Sequence, residues 1–443
     1  MISRRAWHPL FIILFWLAAA YFLVIPIFRP RGLFGWGHYR LIDIYAGVPL
    51  LLFAVCLSAA GFATGARRKQ ATLKSITLLV SILVTVGLAD LGYAFIVEGA
   101  WQPSHTDVWF DGVTITRQNN IPDEELGFAR KPRVTWEGRL SPETRFLTYR
   151  TDENGFRNEL NLRKADVVFI GDSFTEAGDV PEAETFAQKF KAATNLSIVN
   201  LGRSYYGPQQ ELIVLKRYGF NYDPRLVVWQ IFEGNDLTDA SRFASWKANQ
   251  DQHDPLFLRY TKHSIVARLL GRTIPNTFGS PRMFQDNTGQ LRRLFLDYTY
   301  KPDEPAQEPV GMSETRKAID EGYRLCAARG VKLLIVFIPI KVRVMAPYVR
   351  FNSEADKNAY LPGGKLDSDA DFGAELARFC KQAGIPFIDM TAALRGRAAQ
   401  DNISIYSTSQ DSHLDTDGHA VVAQSLAETV RSNNGQALIA ATK

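Results

Sequence analysis

Residues 167–175 read Val167-Val168-Phe169-Ile170-Gly171-Asp172-Ser173-Phe174-Thr175. Four apolar residues, two of them β-branched valines and one an isoleucine, predict a buried strand. Gly171 ends it and supplies the backbone freedom of a sharp turn. Ser173 follows at once, ahead of a helical segment. A serine there stands at the carboxyl end of a strand, where open α/β sheets place their ligands. It is also close to backbone amides able to hold a developing anion. Taken alone, Gly-Asp-Ser reads equally well as a turn with a helix cap, so the rest of the chain has to decide.

Downstream, strand-like runs at Val167–Ile170, Ser197–Asn200, Leu226–Ile231, Leu333–Ile338 and Phe387–Ile388 alternate with helical stretches near 183–194, 208–219, 313–329 and 366–384. A last helix is predicted over 418–432. That alternation implies a parallel sheet covered on both faces, an α/β fold of flavodoxin-like, three-layer type. The pattern breaks at 240–312, a stretch with aromatics, prolines and a turn-like Asp286-Asn287-Thr288-Gly289. It is too long for a simple connection. It reads either as a lid or substrate-binding insertion or as a packing elaboration. Residues 99–160 are polar, with short strand-like patches at Val113–Thr116 and Phe146–Tyr149, and read as a linker lying against the body. The body proper is 161–435, and 436–443 reads as a frayed tail.

The 443 residues carry a formal charge of +5. Residues 1–75 alone hold nine Lys and Arg against one acid, Asp43, leaving the remainder at −3. The basic character therefore belongs to the N-terminal part, which argues against nucleic acid as a partner. Of three cysteines, Cys56 lies in an apolar run, so at most one disulfide, Cys326–Cys380, can form in the body, and buried free thiols are the favoured reading; no Cys/His cluster has metal-binding spacing, so neither a metal nor a cofactor is expected.

The first 98 residues read as a membrane anchor. Apolar runs at about 10–28, 41–66 and 76–97 are each long enough to cross a bilayer, which takes roughly 20 residues. No small-residue cleavage site follows the first, so three transmembrane helices are expected rather than a signal peptide. Arg4, Arg5, Arg67, Arg68, Lys69 and Lys74 favour a cytoplasmic N-terminus, with the body on the far side; Arg29, Arg31 and Arg40 argue the other way. The expected location is a multi-pass protein of a bacterial inner membrane. Asp90, inside the third run, is expected to reach the membrane interface rather than to act within the bilayer.

Three further stretches fall where parallel strands end: Asn200-Leu201-Gly202-Arg203-Ser204-Tyr205-Tyr206-Gly207-Pro208, Phe232-Glu233-Gly234-Asn235-Asp236, and Asp411-Ser412-His413-Leu414-Asp415-Thr416-Asp417-Gly418-His419. Loops at one edge of a parallel sheet converge in space. The set supports nucleophilic acyl transfer. Ser173 needs a base, His413 can be that base, and Asp411 can orient its ring. The side-chain amide of Asn235 and the backbone amides of Ser173 and of the 202–207 loop can donate to an oxyanion. His419, at a helix start, reads as packing or capping. Glu176, Arg203 and Tyr206 flank the set as candidates for substrate contact, and none of them is assigned a role. The Gly-x-Ser-x-Gly elbow of α/β-hydrolases is absent.

Gly171-Asp172-Ser173, Gly234-Asn235-Asp236 and His413-Leu414…Gly418-His419 resemble the first, third and last blocks of the SGNH (GDSL-like) hydrolases. Asn154-Gly155-Phe156-Arg157 and Val180-Pro181-Glu182-Ala183-Glu184-Thr185-Phe186 agree with it, and the likeness covers about 150–432. It implies Ser173 as nucleophile, Asn235 as oxyanion donor and His413 as base. The family's second-block glycine, whose backbone amide is an oxyanion donor, falls on Tyr205, with Gly202 and Gly207 to either side. The family's aspartate three residues before the histidine falls on Gln410, and Asp411 is the nearest acid, in an Asp-x-His spacing that some polysaccharide-modifying relatives share. The resemblance implies a membrane-anchored esterase or O-acyltransferase. Its expected partners are an acylated glycan or other ester substrate, the membrane, and, for transfer, a membrane protein supplying acyl groups. The alternative is a catalytically inactive module that binds glycan or a partner enzyme.

Overall fold

In the computed structural model of the chain, five short apolar runs form one sheet: β1 (Val167–Ile170), β2 (Ile198–Asn200), β3 (Leu226–Phe232), β4 (Lys332–Ile338) and β5 (Phe387–Asp389). Neighbours are parallel throughout, in the order β5-β4-β3-β1-β2. The structure describes residues 7–24, 41–62, 65–97, 120–138, 145–248, 256, 260, 263–266, 282–286, 289–294, 308–351, 353, 371–401, 405–406 and 412–432. Every residue of β1 and β3 is buried, which is why these strands read as unbroken apolar runs rather than alternating ones.

Side chains from the two faces of the sheet feed two cores. On one face Val167 and Phe169 pack with Phe186, Phe190, Val422 and Leu426, which come from helices Phe186–Thr194 and Thr416–Arg431. On the other, Val168, Ile170 and Trp229 pack with Leu212, Ile319 and Leu376, from helices Pro208–Arg217, Glu308–Ala327 and Phe372–Ala383. The strand order reverses between β1 and β3, so the loops after these two strands diverge to opposite faces and leave a crevice at their carboxyl ends. Ser173 follows β1, and Asn235 follows β3.

Helices Asp236–Ala248 and Thr391–Asp401 lie where no helix is predicted. The first buries Leu237, Ala240, Phe243 and Trp246, a helical spacing hidden by the turn-like Gly-Asn-Asp before it. The second is short and interrupted by Gly396, which weakens its pattern. Ahead of the sheet, Asn120–Asp123 pairs with Gly127–Arg130, and Thr135–Gly138 with Leu147–Arg150, both antiparallel. Leu126, Phe128 and Phe156 from this region enter the second core. The other predicted patch, Val113–Thr116, lies outside the described residues, as does the tail 436–443. Arg282–Asp286 and Leu291–Leu294 form a hairpin about the turn at Gly289, and Val349–Arg350 adds a third strand. Cys326 and Cys380 are buried free thiols, and burial pushes both up to about 12.

By its internal contacts the chain divides into two units, Met1–Asp107 with Gln252–Asn276, and Val108–Asp251 with Thr277–Lys443. The second holds everything above. In the first, helices Trp7–Leu23 and Leu41–Phe62 meet through Phe15 and Phe53, edge to face at 4.6 Å, and Trp16 Nε1 donates to Ser58 Oγ at 3.0 Å. Among the described residues one helix, Leu73–Val97, is long and apolar enough to cross a membrane; the apolar stretches of the other two, Ile12–Leu23 and Pro49–Ser58, are shorter. Leu73–Val97 exposes Ile76, Val80, Leu83, Val84, Leu88 and Ile96, so its apolar side chains are not spent on a protein core. Asp90 is buried in this unit. It accepts hydrogen bonds from Tyr260 Oη (2.7 Å), Ser264 Oγ (2.5 Å) and the Val266 amide (3.1 Å). Part of the 240–312 stretch is thus received by the apolar helix.

Candidate active site

Gly171 sits at φ +153°, and a Cβ there would come within 2.4 Å of Thr175 Oγ1 and 2.5 Å of Gln230 Oε1. Only glycine lets β1 turn this tightly. Asp172 then caps a one-turn helix, Ser173–Glu176, accepting from the Phe174 amide at 2.9 Å, and the turn closes on left-handed Ala177. The Ser173 side chain is left partly accessible while Asp172, Phe174, Thr175 and Glu176 are buried around it.

His413 reaches this turn from the far end of the chain. Leu414 is fully buried and bridges to Tyr406, the Asp415 amide donates to Ile405 O at 2.9 Å, and Asp415 caps helix Thr416–Arg431. These anchors hold His413 with Nε2 2.7 Å from Ser173 Oγ, and its ring against Phe174 at 4.9 Å. Its other nitrogen, Nδ1, lies 3.3 Å from Asp179 Oδ2. A carboxylate on that side favours the tautomer with hydrogen on Nδ1, which leaves the Nε2 lone pair to accept from the serine hydroxyl.

Asp179 is absent from the sequence reading. It lies on the turn after the serine helix and is buried. Arg157, also buried, shapes that turn: its guanidinium donates to the carbonyls of Ala177 and Val180, the latter at 2.8 Å. Asn154-Gly155-Phe156-Arg157 and the Val180-Pro181 step are both visible in the sequence, and their meeting around Asp179 is what points to it. Asp411, the acid read from the sequence, lies outside the described residues.

Asn235 Nδ2 donates to Asp239 Oδ2 at 2.7 Å, and the same side chain also meets the Asp172 carboxyl. Of the two backbone donors read from the 202–207 loop, Gly202 is corrected: its N–H donates to Asn200 Oδ1 at 2.9 Å, because Asn200 closes that turn. Tyr205, the other, stands in the left-handed region at φ +69°. His419 is buried, accepts from the Phe186 amide through Nδ1 at 3.2 Å and stacks on the Phe186 ring; burial, with His413 as a neighbour, pulls it down to about 3. It fills a packing role. Four buried carboxyls, Asp172, Glu211, Asp236 and Asp239, cluster beneath the crevice. Burial pushes Asp172 up to about 6 and Asp239 to about 7, and Glu211 and Asp236 well above the usual carboxylate range.

Glu176, Arg203 and Tyr206 are all turned inward. Glu176 accepts from Arg130, from Tyr149 Oη and from both the amide and the hydroxyl of Ser204, with Arg203 3.3 Å away. Burial opposes its ionisation, but the two guanidiniums and these hydrogen bonds hold its carboxyl well below the usual range. Such a pair is expensive to break on one side only, because the other charge is left buried and bare. Glu176→Gln is therefore expected to destabilise the body by about 3–5 kcal/mol. A thermal melt of the full chain in detergent, followed by tryptophan fluorescence, checks it. The sign with pH follows: the folded value is depressed, so this stabilisation is complete above the ordinary value of 4.5 and fades as pH falls toward the folded one. The variant's melting temperature should accordingly depend less on acid pH than that of the wild type.

Comparison with known proteins adds a partial match. Residues 289–443 match a family model described as "SGNH hydrolase-like domain, acetyltransferase AlgX". No curated protein matches the chain in sequence. Among solved structures, a catalytic mutant of Axe2, an acetylxylan esterase from Geobacillus stearothermophilus, is similar over 60% of this chain and 94% of its own, at 12% identity and a TM-score of 0.35. LAE5, an alpha/beta hydrolase enzyme from the metagenome of Lake Arreo, is similar over 62% and 96%, at 14% identity and a TM-score of 0.34. Scores this low leave the reading of the site to its own geometry. Residues 289–443 are thus similar to an SGNH hydrolase-like domain, and the Ser173 and Asn235 blocks lie ahead of the matched segment.

Proposed function

We propose that the chain is a serine esterase or O-acyltransferase that works through an acyl-serine at Ser173. The observation that carries this reading is the 2.7 Å approach of His413 Nε2 to Ser173 Oγ at the strand-order reversal. Ser173 Oγ attacks the acyl carbonyl while its proton passes to His413 Nε2. Asp179 stabilises the imidazolium that results. The oxyanion is held by the Ser173 N–H, the Asn235 side-chain amide and the Tyr205 N–H. As the intermediate collapses, the alcohol leaves with the proton from His413. The acyl-serine is then resolved by water in hydrolysis or by a sugar hydroxyl in transfer.

The finer reading is a multi-pass membrane protein whose body faces the extracytoplasmic side and acts on O-acetyl groups of an envelope or exported polysaccharide. It is supported by the exposed apolar helix Leu73–Val97, by the basic residues before it, and by the acetyltransferase in the matching family's description. The helices Trp7–Leu23 and Leu41–Phe62 would supply two further crossings. Three crossings give little room to import acyl groups, so transfer would need a membrane partner that delivers them.

The test is labelling of the full chain in detergent by a fluorophosphonate probe, alongside turnover of p-nitrophenyl acetate. Labelling of the wild type and none of Ser173→Ala is the expected result. A wild type that neither labels nor turns over the ester is a binding module instead.

A further inference from the structure

Tyr205 is the one exposed residue of the otherwise closed loop 201–208, with 39% of its surface accessible. It is also the loop's one backbone outlier, a tyrosine at φ +69°, a conformation that glycine adopts without penalty and a side chain resists. Strain of this kind persists where the surroundings over-determine it and something is gained by it. The surroundings do over-determine it. The Arg203 amide donates to Gly171 O at 2.9 Å, and Ser204 binds Glu176 through its amide at 2.7 Å. The Tyr206 hydroxyl donates to Phe128 O at 2.6 Å, and the Gly207 amide to Gln210 Oε1 at 3.1 Å. Gly171 and Glu176 bracket Ser173, so the loop is fastened to the nucleophile's own turn and holds Tyr205 at the rim of the crevice.

Glycine at 205 would relieve the backbone and leave the amide in place, so the backbone does not account for a tyrosine here. We infer that the Tyr205 ring is a substrate platform on which a sugar ring of the acylated glycan stacks beside Ser173. This rests on the acyl-serine reading of the site and names the class of molecule that carries the ester. A half-exposed tyrosine has an apolar face and a wet polar edge. A pyranose matches both, with an axial C–H face and a rim of hydroxyls. An acyl chain would instead require an enclosed apolar channel, whereas Tyr205 stands exposed on its loop. Because the loop is fixed before substrate arrives, little ordering is needed on binding.

The experiment is calorimetric titration of the full chain in detergent with water-soluble cellulose acetate oligomers. The proteins are Ser173→Ala, so that no ester is consumed, and the same protein carrying Tyr205→Phe, Tyr205→Ala or Tyr205→Gly. Tyr205→Phe should bind as well as the parent, and the other two roughly three- to tenfold more weakly. Tyr205→Gly should melt no lower than the parent, which separates a lost platform from a damaged fold. Equal binding by all four proteins, or no binding by the parent, overturns the inference. Turnover of p-nitrophenyl acetate by the wild type is read separately, so a failure of the acyl-serine chemistry is distinguishable from a failure of the platform.

Discussion

Ser173→Ala and His413→Ala are each expected to lower kcat on p-nitrophenyl acetate by about 10⁶-fold, and the double variant by no more than either alone. The reason is that the pair acts as a unit. The hydroxyl is a poor nucleophile until its proton has somewhere to go, and Nε2, 2.7 Å away, is the acceptor in place. Removing the acceptor leaves the serine inert, and removing the serine leaves the imidazole without a task. Residual turnover over background should come from the oxyanion donors alone, at roughly 10³–10⁴-fold over water. Steady-state rates on the four proteins, with circular dichroism to show that each is folded, decide the matter. Retention of more than a tenth of wild-type kcat by His413→Ala would remove the imidazole from the mechanism.

The second large effect concerns the acid. Asp179→Asn is expected to cost about 10⁴-fold in kcat with little change in KM, because an amide opposite Nδ1 permits the wrong tautomer and no longer stabilises the imidazolium. The geometry behind this is the 3.3 Å separation of Asp179 Oδ2 from His413 Nδ1, on a turn gripped by Arg157. Asp411→Asn, two residues before the histidine, is the control and should stay within a few-fold of wild type. The reverse ranking of the two variants would return the role to Asp411. A pH–rate profile adds a readout that mere misfolding does not move. With Asp179 gone, the imidazolium is less stabilised, so the basic group governing kcat/KM should titrate at lower pH.

How far this could be read from sequence differs from element to element. β1, β3 and β4 are apolar enough to be unmistakable, and the glycine at their first exit announces a turn. The approach of His413 to Ser173 is foreshadowed because each is the polar residue of a loop that follows a strand or precedes a capped helix. Asp179 was not, since Gly178-Asp179-Val180-Pro181 carries the composition of any turn, and its meaning depends on Arg157 arriving from 20 residues upstream. The commitment of the Gly202 amide to Asn200 was likewise invisible, because a side chain closing its own turn leaves no mark on spacing. Helix Asp236–Ala248 was hidden by its neighbours: the residues that start it are the same ones that read as a turn.

The reception of Asp90 by Tyr260, Ser264 and Val266 bears on how the protein can be handled. The chain runs from one unit to the other at three places, near residues 107, 251 and 276. A cut made just after Val97 would therefore not release a finished enzyme. It would strip Tyr260, Ser264 and Val266 of the carboxylate that accepts from them, and Tyr260 of the Phe95 ring stacked on it. Anyone trimming this protein for work without detergent should keep the Asp90 helix and residues 252–276 together or remove both, since they belong to one unit.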